Sequence, residues 1–196
     1  MAERAENEAA WLEEARAQLI HELCEHALVI GKVTLSSGIE ADYYVDARRA
    51  LMRPAGLRAA GELIAATARE HGARAVGGPV TAAIPLACAA IAVPGGEGLV
   101  GCFVRKERKA HGLQRWVEGA AEPGDRVLVV EDTVTTGGSV VTAIERLREE
   151  GYEIAAALCV VDRLAGGAER IAEAAQAPFI ALTTIDDIYP ERPDRG

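Results

Sequence analysis

The chain of 196 residues has few cysteines and lysines and lacks any long apolar run. Its four cysteines are scattered along the sequence, which excludes a disulfide framework and the usual ligand spacing of a zinc site. Its apolar stretches are shorter than the roughly 20 residues that a membrane-spanning helix needs. The first residues are acidic, unlike those of a secretory signal peptide. We therefore expect a cytoplasmic protein with reduced thiols and no membrane partner.

The charge of the chain is also one-sided, with a formal net charge of −9. Such a charge disfavours general binding to nucleic acid or to an anionic membrane surface, so we expect no nucleic-acid partner. There are only three lysines, Lys32, Lys106 and Lys109, against 18 arginines. Lys106 and Lys109 lie close together. Because arginine is the usual cation of this chain, two neighbouring lysines call for a specific explanation.

Strand-like and helix-like segments alternate along the chain, a pattern typical of an α/β protein with a parallel sheet. The length predicts one domain over residues 1–196. We expect a hairpin over 33–46, a cap and short helix over 183–188, and a loose tail over 190–196. We expect longer helices over 5–28, 54–71, 140–150 and 168–175, and strands over 73–77, 98–104, 116–118, 127–130, 153–161 and 179–182.

The most informative segment is residues 127–139. Four apolar residues end in Glu131 and Asp132, and a turn rich in hydroxyl groups and glycine follows, Thr133-Val134-Thr135-Thr136-Gly137-Gly138-Ser139. The helix that comes next opens its N-terminus onto this turn, where unpaired N–H groups and the helix dipole favour a phosphate. The two carboxylates would repel a phosphate, so we expect them to face sugar hydroxyls or a divalent cation.

Residues 105–115 form the basic segment, with Arg105, Lys106, Arg108, Lys109 and Arg115 opposed only by Glu107. The segment has no hydrophobic periodicity, which indicates a solvated, mobile loop. Lysine carries its charge on a flexible stem, whereas arginine makes fixed, forked contacts. His111 adds a group that titrates near neutral pH. The alternative interpretation is an ordinary solvated run of charge.

Residues 127–139 resemble the phosphoribosyl-diphosphate (PRPP) motif of the type I phosphoribosyltransferases. The resemblance implies that Glu131 and Asp132 hold the ribose 2′- and 3′-hydroxyls of PRPP. It also implies that the turn over 133–139 holds the 5′-phosphate. The alternative is a plain strand–loop–helix unit, although this order of residues is far more specific than a lone glycine motif.

Two further segments resemble the orotate phosphoribosyltransferases within that family. The pattern Arg105-Lys106-x-x-Lys109-x-His111-Gly112 matches their catalytic loop. The match implies that PRPP is contacted by Arg105, Lys106, Lys109 and His111. It also implies that the catalytic residues are Lys106, Lys109, His111 and Asp132. The loop over 105–115 would reach the active site of the neighbouring subunit in a homodimer. Arg163, after a strand, would bind the orotate carboxylate, because arginine suits planar carboxylates. Thr135 would also contact orotate.

Two N-terminal segments extend the resemblance. Residues 34–46 resemble the hood of orotate phosphoribosyltransferases, in which Tyr44 would stack on the pyrimidine ring; alternatively, Tyr43 and Tyr44 are ordinary strand aromatics. Many members carry basic residues where this chain has Ser36 and Ile39. Residues 77–87 resemble the pyrophosphate loop, with Ala82 where some members have lysine, although a plain tight turn is an alternative.

Taken together, the resemblance implies the type I phosphoribosyltransferase fold, a central parallel sheet flanked by helices with a small N-terminal hood. The hood would include residues 1–50 and a C-terminal segment, and the core residues 51–182. The implied reaction joins orotate and PRPP to give orotidine 5′-monophosphate and diphosphate in pyrimidine biosynthesis. Mg²⁺ would be held mainly through PRPP oxygens. The alternatives are a phosphoribosyltransferase for another base and a PRPP-sensing regulator, which the acidic first helix and the net charge oppose.

Overall fold

The computed structural model of the protein describes residues 2–34, 40–108 and 115–195. In chain order the elements are α1 (Ala2–His26), β1 (Leu28–Thr34), β2 (Glu40–Val45), α2 (Arg48–Leu51), α3 (Pro54–Glu70), β3 (Ala75–Gly77), α4 (Ala83–Ala92), β4 (Val100–Val104), β5 (Val117–Gly119), β6 (Arg126–Val134), α5 (Gly138–Glu149), β7 (Glu153–Asp162), α6 (Gly167–Ala175), β8 (Phe179–Thr184) and α7 (Ile185–Ile188). None of the described helices is both long and apolar enough to cross a membrane.

A six-stranded sheet in the order β5-β4-β3-β6-β7-β8 forms the centre of the molecule. Five of its strands run parallel, and β5 pairs antiparallel with β4 at one edge. Parallel strands are covered on both faces and therefore read as continuous apolar runs. Residues 127–130 of β6 follow this rule and have no exposed surface. The predicted α/β fold with a central, mostly parallel sheet is confirmed.

Helices cover both faces of the sheet because side chains alternate along each strand. Leu128 and Val130 join the hydrophobic core that α1, α3 and α4 close. Val127 and Val129 point into the opposite core, which α5 and α6 close. This two-sided packing fixes β6, and the carboxyl end of β6 is where the carboxylates and the glycine-rich turn emerge.

The strand β6 continues further than the sequence suggested. We expected it over 127–130, whereas it extends to Val134 and pairs with β7 as far as Asp162. Glu131 and Asp132 therefore belong to the strand and not to a loop. Their backbone lies within the part of β6 that pairs with β7, which fixes the direction of both side chains.

The N-terminal hairpin differs from the expectation in its bounds. We predicted a helix to Leu28 and a hairpin from Val33, but α1 ends at His26 and β1 already begins at Leu28. Val29 and Ile30 are β-branched and favour a strand, and they pair antiparallel with Tyr44 and Tyr43 of β2. The expected turn at residues 36–38 lies outside the described residues.

The expectation of a loose C-terminal tail is wrong for its described part. Arg192 forms an ion pair with Asp186, and its side chain is only 10% exposed. The hydroxyl of Tyr43 donates to a carboxylate oxygen of Asp194 at 3.0 Å. The sequence of the tail is polar. Asp186 lies only six positions before Arg192, whereas Tyr43 lies 151 positions before Asp194, so no local pattern could reveal the second contact. The tail thereby contacts β2. The predicted cap and short helix over 183–188 are confirmed, because Thr184 forms a capping box at the start of α7.

Candidate active site

A cleft of about 690 Å³ opens at the carboxyl end of β6. It lies between the end of β2 with α2 on one side and the β3–α4 turn on the other. Its polar lining includes seven residues that the sequence singled out, namely Tyr44, Lys106, Glu131, Asp132, Thr133, Thr135 and Arg163. It also includes three that the sequence did not, namely Asp46, Arg48 and Thr81. The strand end, the hairpin and the loop after β7 therefore meet at one place.

Glu131 is the most buried carboxylate of the cleft, with 7% of its surface exposed. The hydroxyl of Ser139 donates to its Oε2 at 2.9 Å, across the start of α5. Burial, followed by the charge of neighbouring Asp132, raises the pKa of Glu131 to about 7. This carboxyl group can therefore hold or release a proton near neutral pH.

Asp132 is less buried, and its side chain is held by the backbone of the next residue. The N–H of Thr133 donates to Asp132 Oδ1 at 2.6 Å. Burial raises the pKa of Asp132 above its ordinary value, while the Thr133 hydrogen bond and the charge of Arg48 oppose the shift. Glu131 and Asp132 thus give the cleft two adjacent acceptors with fixed positions, which suits neighbouring hydroxyls of a sugar.

The glycine-rich turn leads into α5, but the helix begins at Gly138 rather than at Val140, so Gly138 and Ser139 belong to the helix. Gly137 adopts a left-handed backbone with φ of 74°, and a Cβ there would lie 2.8 Å from Ile171 Cγ1. Only glycine tolerates this combination. Gly138 is different, because the nearest atom to a Cβ at that position would be Arg170 Nη1 at 4.0 Å. The first turn of α5 therefore has open space beside its unpaired N–H groups, as an anion site requires.

Arg163 follows β7 and lies under the hairpin. Its guanidinium carbon is 5.6 Å from the ring centroid of Tyr43. Its Nε is buried and has no hydrogen-bond partner among the described residues. An unpaired buried N–H is costly unless a ligand supplies the acceptor. Since Arg163 also lines the cleft, it is suited to a bound carboxylate.

The two tyrosines of β2 have separate positions. Tyr44 lines the cleft, as predicted for the stacking residue. Tyr43 is buried and packs edge-on against Tyr189 at a centroid distance of 5.4 Å. Sequence reasoning left the choice between them partly open and missed the contact of Tyr43 with Arg163. Strand alternation separates them, but only the packed structure shows which face meets the cleft.

The start of the basic segment reaches the cleft through Lys106. Lys106 also lines a neighbouring cleft of about 330 Å³, together with Arg105, Ser139 and Arg146. The guanidinium of Arg105 pairs with Glu118 of β5 at 2.7 Å, so its predicted contact with PRPP would require this pair to open. The predicted roles of Lys109 and His111 fall on residues outside the described ranges, as do the positions of Ser36 and Ile39.

Comparison with known proteins decides the family. Residues 50–179 match a family model described as "Phosphoribosyl transferase domain". An orotate phosphoribosyltransferase of Streptomyces avermitilis is 45% identical over 170 residues, which cover 86% of this chain and 93% of that protein. The chain belongs to the orotate phosphoribosyltransferase family. The family that the sequence motifs predicted is therefore confirmed.

Solved structures of family members agree in fold. One structure of the Mycobacterium tuberculosis H37Rv orotate phosphoribosyltransferase, in complex with Fe(III) dicitrate, has a TM-score of 0.81 and 41% identity, covering 89% of this chain and 98% of that chain. Another, of the enzyme in complex with PRPP, has a TM-score of 0.76 and 35% identity with the same coverage. Both alignments therefore cover most of each chain rather than a single motif.

Sequence reasoning missed Asp46 and Arg48 at the mouth of the cleft. Arg48 Nε lies 2.9 Å from Asp46 Oδ1. This hydrogen bond, followed by the negative charges around it, including that of Asp132, raises the pKa of Arg48. The signal was present as a charged run directly after the hood strand, Asp46-Ala47-Arg48-Arg49. Arg48 therefore adds a cation to the lining of the cleft, paired with Asp46.

The β3–α4 turn, predicted as the pyrophosphate loop, also reaches the cleft. Val80, Thr81 and Ala82 line it. A Cβ at Gly78 would lie 2.2 Å from the carbonyl oxygen of Val130, so the turn can approach β6 only through glycine. This close approach explains Gly78, whereas a Cβ at Gly77 would lie 2.3 Å from Cys102 Sγ of β4.

The described residues contain no group of three or more His, Cys, Asp or Glu side chains arranged to hold a metal ion. The cleft does offer hard oxygen donors in Asp46, Glu131 and Asp132. Mg²⁺ prefers such oxygen ligands and commonly shares them with substrate phosphates. The donor set fits a cation that arrives with its substrate better than one caged by protein.

Proposed function

We infer that the protein transfers the phosphoribosyl group of PRPP to orotate, giving orotidine 5′-monophosphate and diphosphate in pyrimidine biosynthesis. The observation that carries this inference is the buried, unpaired Nε of Arg163 beside the cleft. Orotate has a carboxylate that an arginine fork can bind, whereas uracil, adenine and hypoxanthine do not. The family membership of the chain supports the same substrate.

The chemistry that we propose is electrostatic. As the bond from ribose C1′ to the diphosphate breaks, positive charge develops on the ribose and negative charge on the leaving group. Glu131 and Asp132 accept hydrogen bonds from the ribose hydroxyls and offset the positive charge. The segment over 133–139, from the end of β6 to the first turn of α5, holds the 5′-phosphate, and no protein nucleophile is required. Fixed charges and positioning can supply most of such a rate enhancement.

The leaving group needs cations of its own. We propose that Lys106, which lines the cleft, neutralises the diphosphate with help from Arg105, Lys109 and His111 of the same segment. Mg²⁺, held mainly through PRPP oxygens, would neutralise further charge on the diphosphate. Asp46 and Asp132 line the same cleft and would supply carboxylate oxygens to the hydrated ion.

We also propose a homodimer in which the segment over 105–115 serves the active site of the neighbouring subunit. Mixing a Lys109→Ala variant with an Asp132→Asn variant would test this arrangement. If the segment acts in the other subunit, the mixture recovers a fraction of the wild-type rate that neither variant has alone. A mixture that stays at the sum of the two variants would contradict shared sites.

The cysteines support a reducing compartment. All four are free thiols, Cys24 and Cys88 exposed and Cys102 and Cys159 buried. Stable free thiols are typical of the cytoplasm. We therefore propose that this enzyme acts there, as a single domain whose hood and core meet at the cleft.

The test is absorbance at the orotate band with purified protein, PRPP and Mg²⁺, beside matched samples that contain uracil, adenine or hypoxanthine. We expect consumption of orotate alone. Turnover of another base would agree with phosphoribosyl transfer but contradict the role of Arg163 in binding a substrate carboxylate. Tight binding of PRPP without turnover of any base would instead favour a PRPP-sensing regulator.

A further inference from the structure

The two ends of the basic segment are held together next to α5. The N–H of Arg105 donates to the carbonyl of Trp116 at 2.9 Å, which continues the pairing of β4 with β5. One face of α5 lies against this junction. The contacts involve Arg105 at the start of the segment and Trp116 directly after its end, and both are described residues.

Arg146 of α5 contacts both ends at once. Its Nη1 donates to the carbonyl oxygen of Arg105 at 2.6 Å. Its guanidinium carbon lies 3.9 Å from the ring centroid of Trp116, a close cation–π contact. Arg146 is partly buried, and partial burial strengthens both interactions relative to an exposed site.

Trp116 has further attachments to the same helix. Its indole Nε1 donates to Glu149 Oε2 at 3.1 Å, and its backbone N–H donates to a carboxylate oxygen of Glu150. The guanidinium of Arg108 approaches the same ring at 5.1 Å and lies 3.4 Å from Glu149. These contacts hold the indole firmly, so that Arg146 meets a fixed surface.

The hydrogen bond from Arg146 to the carbonyl oxygen of Arg105 holds the peptide group that joins Arg105 to Lys106. The carbonyl of Arg105 belongs to the same planar unit as the backbone nitrogen of Lys106. Fixing that carbonyl therefore fixes the direction in which Lys106 leaves the strand. Lys106 lines the main cleft and, beside Arg146 and Ser139, the smaller one.

We propose that Arg146 is a positioning residue for Lys106: it fixes the Arg105–Lys106 peptide group against Trp116 and so directs the lysine at the diphosphate side of the cleft. This role rests on the proposed function, because it assumes that Lys106 meets the leaving group. Arg146 itself acts through Lys106 and need not contact the substrate.

The test compares Arg146→Met with Arg148→Met on the same helix. Arg148 also donates to backbone carbonyls, those of Ala174 and Ala175, but these belong to α6, away from the cleft. We expect Arg146→Met to lower kcat roughly tenfold, as misplaced catalytic groups do, with little change in the KM for orotate. Arg148→Met should keep kcat, whatever its effect on the melting temperature. Arg146→Lys retains the charge and one donor and should recover part of the loss.

A double variant separates positioning from direct contact. If Arg146 acts through Lys106, adding Arg146→Met to Lys106→Ala should lower kcat no further. A full tenfold additional loss would overturn the proposal and make Arg146 an independent contributor. An unchanged kcat in the single variant Arg146→Met would overturn it as well.

A measurement without substrate keeps this proposal distinct from the proposed function. In a Trp11→Phe background, Trp116 is the only tryptophan, since the chain has two. We expect acrylamide to quench its fluorescence more strongly in Arg146→Met than in Arg148→Met. Equal quenching would overturn the positioning role alone. Failure of the wild-type protein to consume orotate, with the quenching difference present, would overturn the proposed substrate alone.

Discussion

The hydroxyl of Ser139 donates to Glu131 Oε2 at 2.9 Å, which joins the first turn of α5 to the end of β6. The two residues were predicted to meet different parts of PRPP, the serine its 5′-phosphate and the glutamate its ribose. Each side chain is thus a hydrogen-bond partner of the other. If PRPP binds as proposed, both would exchange this hydrogen bond for contacts to the substrate.

The first prediction concerns Glu131 and pH. Its pKa is raised to about 7, so the folded protein holds a proton that the unfolded chain has released. The stability from this group is therefore fully present below the unfolded pKa and is lost as pH rises through about 7. The loss is on the order of 3 kcal/mol at most. Urea unfolding at pH 5 to 8 should show the decline in the wild type and a flatter profile in Glu131→Gln. A variant at an exposed position of α5, Glu145→Gln, should keep the wild-type slope, and an identical slope in Glu131→Gln would contradict the assignment.

The second prediction concerns Arg163. Replacing it with methionine removes the fork and leaves the stem packed near Tyr43. Because hydrogen bonds to charged groups contribute about 1.5–3 kcal/mol, the KM for orotate should rise by roughly 10- to 150-fold while the KM for PRPP changes little. The matched control is Arg126→Met at the opposite end of β6, where the arginine donates to the carbonyl of His71. Steady-state kinetics with each substrate varied would check both, and equal effects on the two KM values would argue against carboxylate recognition.

The third prediction separates the two glycines of the turn. Gly137→Ala must place a Cβ at φ of 74° and 2.8 Å from Ile171, so it should lower the free energy of unfolding by at least about 1–2 kcal/mol. Gly138→Ala has open space and should leave the stability unchanged or slightly raised. Its new methyl group would instead narrow the space beside the first turn of α5. We expect a raised KM for PRPP in Gly138→Ala with a normal melting temperature; a normal KM would place the phosphate elsewhere.

The fourth prediction concerns the C-terminal tail. Arg192 is nearly buried against Asp186, whereas the side chain of Arg195, which also approaches Asp186, is 51% exposed. Arg192→Ala should therefore lower the free energy of unfolding by about 1–3 kcal/mol. Arg195→Ala should change it by less than about 0.5 kcal/mol, as exposed ion pairs do. Chemical denaturation of both variants would decide, and equal effects would mean that the tail is not held by Arg192.

The sequence by itself determined the parts of the site that are local in the chain. Residues 127–139 contain a buried strand, two carboxylates and a glycine turn in unbroken order, so their chemistry could be predicted before any packing was known. The regular alternation of strands and helices determined the sheet for the same reason. Each of these signals depends on neighbours within a few turns or one strand.

Only the tertiary structure decided the contacts between distant segments. It placed Tyr44 in the cleft and Tyr43 under Arg163, ordered the described part of the tail through Arg192, and brought Arg146 onto the start of the basic segment. Arg192 and Asp186 are only six positions apart, but the other partners are separated by tens to more than a hundred positions. Such contacts arise from the packing of elements against one another, and no local periodicity, turn or cap signal in the chain encodes them separately.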